Sequence, residues 1–475
     1  MKKARAVNLN SPITRRRFLQ ASAVGAAGLV AGCALNEKYA SINVSTSVRP
    51  NILFVHTDQQ SFRTISALGC RHVHTPNMDR LVHGGTLFTE SHSADPVCCP
   101  ARASWYTGQP PAENGVVLNE VEIEPHMPDL GQWMTPRGYE CVYVGKWHVP
   151  GRDLTKSFKV IPGGSNQGEH GDAAVSRAVE GYLRNRTGNE PFFLSAGLLQ
   201  PHDIPYWFFY HTDRIEQLPY PQILDQLPEL PPNFEFDFDE PELMAAYRKG
   251  EPRKYSQKWS ELNWRYYLWS YYRCVEMADA EIGRILNALE DSRYADNTLV
   301  IFSSDHGEGM AEHELLSKSN LYESSLKVPL VFYWPGNVDA MRLDSTHLVS
   351  GLDVAPTICD YAGIEGLPKA RGQSLRPVLE NVNAPSREFV ISSSMIHGRC
   401  VRTERYKLIT YRHSTRDLLF DMKNDPHETK NLAGDSKYAS VVADHKKILA
   451  DFEAPFEVAR VKKYPPFFKD DWKRL

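Results

Sequence analysis

Three features are missing from this sequence of 475 residues: an apolar run long enough to cross a bilayer, an internal repeat, and an excess of basic residues. The apolar N-terminal stretch from Ala21 to Gly32 has only twelve residues, whereas a spanning helix needs about 20. The chain has 54 lysine and arginine residues against 58 acidic residues, which argues against non-specific binding of nucleic acid. With 42% hydrophobic residues, the chain predicts one big domain, alone or with a smaller one.

Paired cysteine spacings are missing too. The chain has eight cysteines, and apart from Cys33 and Cys98 they show no regular spacing, so no disulfide framework can be read from them. The adjacent residues Cys98 and Cys99 could form a vicinal redox pair, but a disulfide between neighbouring residues is strained. We therefore expect the chemistry at Cys98 to be something other than disulfide exchange.

The N-terminus predicts an export signal over residues 1–33. Thr14 to Gln20 reads T-R-R-R-F-L-Q, close to a twin-arginine signal. The apolar stretch ends in V-A-G-C, which resembles a bacterial lipobox with Cys33 as the lipid-bearing residue; the alternative is an ordinary cleavage site with an incidental cysteine. Loss of residues 1–32 would remove six basic residues and no acid, and so change the formal net charge from −4 to −10. The polar residues 34–50 predict a linker.

Short apolar runs alternate with helical patterns, which predicts an α/β fold: a mostly parallel sheet with helices on both faces. The predicted strands are Asn51–Thr57, Tyr139–Val144, Pro191–Leu199 and Thr298–Ser304. Trp264–Leu289 predicts a core helix, because its apolar residues recur at spacings of three and four. Tyr206 to Glu251, rich in proline, aromatic and acidic residues, predicts an irregular insertion that shapes a pocket rim.

From about residue 385 the pattern changes to short alternating strands, followed by a helix from Ser440 to about Phe452. This pattern predicts a small antiparallel sheet at the C-terminus. The predicted organisation is therefore a catalytic α/β domain over residues 51–384 and a C-terminal subdomain over residues 385–475.

Polar residues follow each of the predicted parallel strands. They are Asp58, Gln59, Lys146, His148, His202, Asp305 and His306. Ligands of such sheets bind beyond the carboxyl ends of the strands, so one crevice would collect these side chains. Taken singly, each has a structural alternative, because Asp58 could cap a helix and Lys146 or His202 could be an ordinary loop residue.

The stretch from Cys98 to Gly108 reads C-C-P-A-R-A-S-W-Y-T-G and predicts a turn that starts a helix. A thiol at a helix N-terminus meets backbone N–H groups and the positive end of the helix dipole, and Arg102 adds a positive charge four residues later. Such a position suits an anion.

These residues resemble the signature of the sulfatase family, C-x-P-x-R-x-x-x-x-T-G, with Ala101 where the family usually has serine. Other stretches that resemble this family follow in order over roughly residues 50–435. They are T-P-N-M-D-R-L from Thr75, G-K-W-H from Gly145, P-H-D-I-P from Pro201, D-H-G-E from Asp305, S-K-S-N-L-Y-E from Ser317 and N-D-P-H-E-T-K-N-L from Asn424. The motif set is similar to that of iduronate-2-sulfatases and choline sulfatases. The resemblance implies the alkaline-phosphatase-like fold of that superfamily.

The resemblance also implies a nucleophile and a metal. In sulfatases the first cysteine of the signature is oxidised to formylglycine, so hydrated formylglycine at Cys98 would attack sulfur, polarised by Arg102. The implied ligands of a divalent cation are Asp58, Gln59, Cys98, Asp305 and His306. Oxygen donors with one amide and one imidazole are typical of a Ca²⁺, Mg²⁺ or Mn²⁺ site rather than of a zinc site with thiolate ligands. Ca²⁺ is usual in the family, but phosphonate monoester hydrolases have a similar ligand set, so the metal stays open.

Four further residues receive roles from the resemblance. Lys146 and Lys318 would hold the sulfate oxygens. His202, alone or together with Lys318, would protonate the leaving oxygen, and His148 would take the proton whose loss releases sulfate. For His313, a substrate-binding role and a solvated helix position both stay open.

The sequence thus predicts an exported sulfatase that hydrolyses a sulfate ester of a sulfated carbohydrate, periplasmic or anchored by a lipid at Cys33. Its expected partners are a formylglycine-generating maturation enzyme and the twin-arginine export machinery, and nucleic acid is not expected. Two alternatives stay open. One is a phosphodiesterase or phosphonate monoester hydrolase on the same scaffold, and the other is a noncatalytic glycan-binding lipoprotein in which Cys98 stays a thiol.

Overall fold

The computed structural model describes residues 49–164, 167–211, 221–250, 255–395 and 397–456. The strands in these ranges are β1 (Asn51–Asp58), β2 (Thr86–His92), β3 (Glu140–Gly145), β4 (Lys159–Ile161), β5 (Phe192–Pro201), β6 (Thr298–Ser304), β7 (Leu330–Tyr333), β8 (Arg342–Ser350), β9 (Phe389–Ser394), β10 (Gly398–Thr403), β11 (Tyr406–Tyr411) and β12 (Leu418–Asp421). The α-helices are α1 (Pro76–Gly84), α2 (Cys98–Thr107), α3 (Pro111–Asn114), α4 (Leu130–Met134), α5 (Gly168–Asn185), α6 (Ile204–His211), α7 (Glu242–Lys249), α8 (Glu261–Glu290), α9 (Glu323–Leu326), α10 (Val354–Tyr361), α11 (Arg376–Glu380) and α12 (Ala439–Glu453).

The first eight strands form one sheet in the order β4-β3-β5-β1-β6-β7-β2-β8. Among these strands β7 alone runs antiparallel to its neighbours, and the rest are parallel. The mostly parallel sheet predicted from the sequence is therefore confirmed. Among the described residues, no helix combines the length and the apolarity that a membrane crossing needs.

Helices cover both faces of this sheet. Side chains alternate along β1, so Leu53 and Val55 pack with apolar residues of α1, α5 and α8 on one face. Ile52 and Phe54 pack on the other face with residues of α2 and α10. Burial on both faces explains why β1 is apolar along its length rather than alternating. The predicted core helix is α8, which begins with a capping box made by Ser260 and Asn263.

The C-terminal strands form a second sheet with the antiparallel order β12-β11-β10-β9, as predicted. This sheet adjoins the loops at the end of the large sheet: the Ser393 N–H donates to the carbonyl oxygen of Ala94 at 2.9 Å, and the Ser394 hydroxyl donates to the carbonyl oxygen of Ser319 at 2.9 Å. The helix α12 confirms the predicted terminal helix. The domain boundary at residue 385 stays a prediction.

The insertion predicted to be irregular, Tyr206 to Glu251, is partly helical, so that prediction was wrong in part. It includes most of α6 and all of α7. Each helix has eight residues, too few for an apolar period to stand out in the sequence. Leu243 and Met244 of α7 pack against apolar residues of the C-terminal sheet. The predicted signal at residues 1–33 and most of the predicted linker lie outside the described residues.

Candidate active site

Cys98 is the first residue of α2 and is fully buried. Its Sγ lies 3.0 Å from Lys318 Nζ, 3.2 Å from His306 Nε2 and 3.7 Å from Asp58 Oδ1. These three residues come from the loop before α9 and from the carboxyl ends of β6 and β1. The sheet topology thus gathers around Cys98 residues that lie far apart in the sequence.

Arg102 lies one helical turn after Cys98, on the same face of α2. Its guanidinium donates to Asp305 Oδ2 at 2.8 Å, to Asp58 Oδ2 at 2.9 Å and to the Lys146 carbonyl oxygen at 2.8 Å. Burial favours the neutral form of Arg102, but the carboxylates of Asp305 and Asp58 raise its pKa further above its ordinary value. A permanent positive charge therefore holds the two carboxylates in place.

Asp58 is paired with two cationic side chains. Lys146 Nζ lies 2.7 Å from its Oδ2, in addition to the contact from Arg102. Burial opposes its ionisation, but Lys146, His202 and Arg102 together bring its pKa well below the ordinary value. Lys146 thus lies directly after β3, with its ammonium against the Asp58 carboxylate.

Asp305 and His306 follow β6 directly and are fully buried. Burial and the nearby Asp58 raise the pKa of Asp305 to about 6. The Nδ1 of His306 lies 2.8 Å from the carbonyl oxygen of Gly307, and because a carbonyl only accepts, Nδ1 carries the hydrogen. In the neutral imidazole, Nε2 is then the nitrogen with a lone pair for a metal, and it faces Cys98.

The donor set fits a hard divalent cation. One ligand atom from each of Asp58, Cys98, Asp305 and His306 lies within 4.8 Å of the others, and all four residues are buried. Gln59, the fifth predicted ligand, has its Oε1 2.6 Å from Lys318 Nζ, on the same side. Two carboxylates, an amide oxygen and an imidazole suit Ca²⁺, Mg²⁺ or Mn²⁺. The cluster is consistent with a sulfatase metal site beside a cysteine-derived formylglycine.

The two adjacent cysteines differ in their surroundings. Burial and Asp58 oppose ionisation of Cys98, but Lys146, Lys318 and His306 bring its pKa well below the ordinary value. Burial and the neighbouring Cys98 raise the pKa of Cys99 to about 12. All seven cysteines in the described part of the chain are free thiols, which leaves no vicinal disulfide between Cys98 and Cys99.

The two predicted acid–base histidines are similarly exposed but have different neighbours. His202 is half-buried, with its Nε2 3.9 Å from Asp58 Oδ1, and burial together with Lys318 lowers its pKa. His148 lies two residues after Lys146, with 32% of its side chain exposed and its Nε2 4.0 Å from Glu120 Oε1. His202 thus contacts the buried cluster through Asp58, whereas the carboxylate near His148 is that of Glu120.

His313 is neither solvated nor aimed at the cluster. It is fully buried, its ring stacks on that of Tyr322 at 4.0 Å, and its Nε2 lies 2.9 Å from the carbonyl oxygen of Glu428. Both interpretations left open for it are therefore replaced by a packing role beside the C-terminal sheet.

Two buried acids that support the site were missed in the sequence. Asp172 on α5 accepts the backbone N–H groups of Leu199 and Gln200 at 2.7 and 2.8 Å, just before the His202 loop. Glu308 accepts a hydrogen bond from the Gln59 side chain. Asp172 had no sequence signal, because it lies within a helix far from any motif. Glu308 closes the run D-H-G-E, so its position could have suggested a role.

Comparisons with known proteins agree with this geometry. A family model described as Sulfatase matches residues 50–364, and one described as N-sulphoglucosamine sulphohydrolase, C-terminal, matches residues 311–454. The Delta 4,5-hexuronate-2-O-sulfatase of Bacteroides thetaiotaomicron is 30% identical over 435 residues, which cover 85% of this chain and 89% of that protein.

Solved structures share the fold. A 2-O GAG sulfatase superposes with a TM-score of 0.77 at 29% identity, covering 90% of this chain and 94% of that one. The phosphonate monoester hydrolase of Agrobacterium radiobacter gives a TM-score of 0.72 at 23% identity, covering 86% and 96%. The fold is alkaline-phosphatase-like, as the sequence predicted. Because the sulfatase model spans most of the chain and includes the residues gathered around Cys98, the protein belongs to the sulfatase family and is a sulfuric ester hydrolase.

Proposed function

We propose that this sulfatase removes a sulfate ester from a sulfated carbohydrate, using a formylglycine derived from Cys98 and a divalent cation. The observation that carries the proposal is the position of Cys98, buried between two carboxylates, His306 and the ammonium of Lys318. Support for a sugar substrate comes from the similarity to a hexuronate sulfatase and to a GAG sulfatase.

Matured Cys98 supplies the attacking hydroxyl of its hydrated aldehyde, and the cation supplies Lewis-acid stabilisation of the charge that develops there. Arg102 keeps Asp58 and Asp305 fixed, since its guanidinium donates to both. Little reorganisation is then needed when charge develops in the transition state, which is the main source of electrostatic catalysis.

Lys146 and Lys318 bind the sulfate oxygens in this proposal. The ammonium of Lys318 lies 3.0 Å from Cys98 Sγ, and that of Lys146 lies 2.7 Å from Asp58 Oδ2. Both charges are therefore within reach of an anion held in line with the nucleophile. The two ammonium groups attract an anionic ester, and this attraction favours binding of sulfate monoesters.

His202 donates a proton to the departing alcohol oxygen. Its Nε2 lies 3.9 Å from Asp58 Oδ1, and 29% of its side chain is exposed, which supports contact with both the cluster and a bound ester. His148, two residues after Lys146, accepts the proton whose loss restores the aldehyde and frees sulfate. The pair divides acid and base work between two imidazoles in different surroundings.

The proposal includes export. The twin-arginine-like sequence from Thr14 and the lipobox-like sequence ending at Cys33 support a mature protein that is periplasmic or anchored by a lipid. Maturation at Cys98 then precedes translocation of the folded protein. Cys33→Ala should release the protein from the membrane fraction into the soluble periplasm. An unchanged distribution between the two fractions would contradict the lipid anchor.

The direct test is a substrate comparison on matured protein with Ca²⁺. Sulfate release from sulfated mono- and disaccharides, among them an unsaturated 2-O-sulfated hexuronate, would be measured against turnover of an aryl phosphate diester and a phosphonate monoester. We expect a higher kcat/KM for a sulfated sugar, and loss of that activity in Cys98→Ala. A higher kcat/KM for the phosphonate would favour the phosphonate monoester hydrolase alternative. Binding of sulfated glycan without any turnover would favour the glycan-binding lipoprotein.

A further inference from the structure

Glu308 is a fully buried carboxylate on which three segments of the site converge. Its oxygens accept hydrogen bonds from the side-chain amide of Gln59, the hydroxyl of Tyr267 and the backbone N–H of Ser317. These donors belong to the end of β1, to the core helix α8 and to the loop that carries Lys318. A single carboxylate thus links a predicted metal ligand, the rigid core and a catalytic loop.

The contacts of Gln59 fix the orientation of its amide. Its Nε2 donates to Glu308, and its Oε1 accepts from Lys318 Nζ at 2.6 Å. A carboxylate can only accept and an ammonium can only donate, so the two neighbours allow one orientation of the amide and exclude the flipped one. The oxygen, which is the end able to bind a cation, therefore faces the side of Cys98.

The loop around Lys318 also needs restraint. Its non-glycine residues with positive φ are Met310, Ala311, His313, Glu314, Ser317 and Ser319. Backbone of this kind is strained and persists only where surrounding contacts hold it. The hydrogen bond from the Ser317 N–H to Glu308 acts directly before Lys318, and the Ser319 N–H donates to the Pro96 carbonyl oxygen at 3.0 Å directly after it.

We propose that Glu308 is a positioning residue that turns the amide oxygen of Gln59 toward the cation and holds Lys318 beside Cys98. The inference rests on the cation of the proposed function and adds to it a residue that is not itself a ligand. In Glu308→Gln, the new amide can offer an N–H₂ group to the N–H₂ group of Gln59. The amide of Gln59 is then free to flip and present its nitrogen to the cation and to Lys318.

The test is the affinity for Ca²⁺, measured by calorimetry on matured full-length protein. Loss of a residue that orients a metal ligand typically weakens metal affinity about 10- to 100-fold, and we expect Glu308→Gln to fall in this range. Tyr267→Phe is the matched control, because it removes another donor to Glu308 and leaves the bond to Gln59 intact. Its Ca²⁺ affinity should stay close to that of the wild type.

The decisive variant is the double exchange Gln59→Glu with Glu308→Gln. It places a carboxylate at the ligand position and an amide behind it, so the hydrogen bond is restored with a ligand oxygen still facing the cation. We expect Ca²⁺ affinity near that of the wild type, and weak affinity for Gln59→Glu alone, where two carboxylates meet. The double variant decides the question even if Glu308→Gln alone does not fold.

Three outcomes would overturn the inference. Wild-type Ca²⁺ affinity in Glu308→Gln would show that Glu308 does not orient Gln59, and weak affinity in the double variant would show that Glu308 acts in some other way. In both cases the proposed sulfatase chemistry stands. If the wild type binds none of Ca²⁺, Mg²⁺ and Mn²⁺, the cation of the proposed function fails together with this inference.

Discussion

At the scale of single residues, Cys98 and Cys99 are the clearest contrast in the molecule. Cys98 meets charged and metal-binding groups, whereas Cys99 packs in the apolar cluster beneath α2. We expect Cys98→Ala to lose at least about three orders of magnitude in kcat, as removal of a nucleophile commonly does. Cys99→Ala should keep most of the activity, because it removes only a buried sulfur. Turnover of a sulfated sugar measures both, and a Cys98→Ala protein as active as the wild type would refute the nucleophile.

His202 allows a test that depends on the leaving group. A sugar alkoxide is a poor leaving group and needs a proton, whereas a nitrophenolate departs readily without one. We expect His202→Ala to lower kcat for a sugar sulfate by about 10²- to 10⁴-fold, and to lower kcat for nitrophenyl sulfate far less. His126→Ala, at an exposed histidine, is the control. Equal losses on both substrates would exclude His202 as the acid.

At the scale of elements, α5 supports the end of β5 through Asp172. Burial raises the pKa of Asp172 from 3.8 to about 7. Because the pKa is higher in the folded chain than in the unfolded one, protonation stabilises the fold. This contribution to the free energy of unfolding is complete below about pH 4 and is lost as the pH rises through about 7. The loss between pH 5 and pH 8 is about 3 kcal/mol.

Asp172→Asn should remove this pH dependence. We expect the difference in thermal midpoint, variant minus wild type, to be more negative at pH 5 than at pH 8. The reason is that only the wild type loses the contribution of the protonated carboxyl as the pH rises. Asp444→Asn, at an exposed position, should keep a constant difference from the wild type. A constant difference for Asp172→Asn over the same range would contradict the buried, protonatable carboxyl.

Elements differ in how far the sequence predicts them. The strands β1, β3, β5 and β6 are apolar along their length and end in polar residues, so both their position and the crevice at their carboxyl ends were predictable. The loop around Lys318 was not, since its shape depends on positive φ values and on distant partners such as Glu308. Lys318 entered the predicted site only through the family resemblance.

At the scale of the whole molecule, a buried ion cluster joins the C-terminal sheet to α9, the short helix before β7. Lys407 on β11 lies 2.8 Å from Glu323 Oε1 and 2.7 Å from Glu428 Oε1, and all three residues are buried. The Glu323 N–H in turn donates to Glu428 Oε2 at 2.8 Å. These residues are up to 105 positions apart, and no local pattern in the sequence could have paired them.

Lys407→Met should leave two buried carboxylates without their ammonium. Breaking a buried ion pair from one side costs about 3–5 kcal/mol, so we expect a clear fall in the thermal midpoint and detachment of the C-terminal sheet before global unfolding. Lys430→Met, at an exposed lysine, is the control and should be close to neutral. Hydrogen exchange across β9–β12 would report the detachment, and unchanged protection there would contradict the role of the cluster.

The central claim is that Cys98 becomes the nucleophile of a sulfatase. Peptide mass spectrometry across Cys98 and Cys99, on protein produced together with a formylglycine-generating enzyme, tests it most directly. We predict that Cys98 has exchanged its sulfur for an aldehyde oxygen and that Cys99 is still a thiol. An unmodified Cys98, under conditions that convert the cysteine of a control sulfatase, would contradict the account.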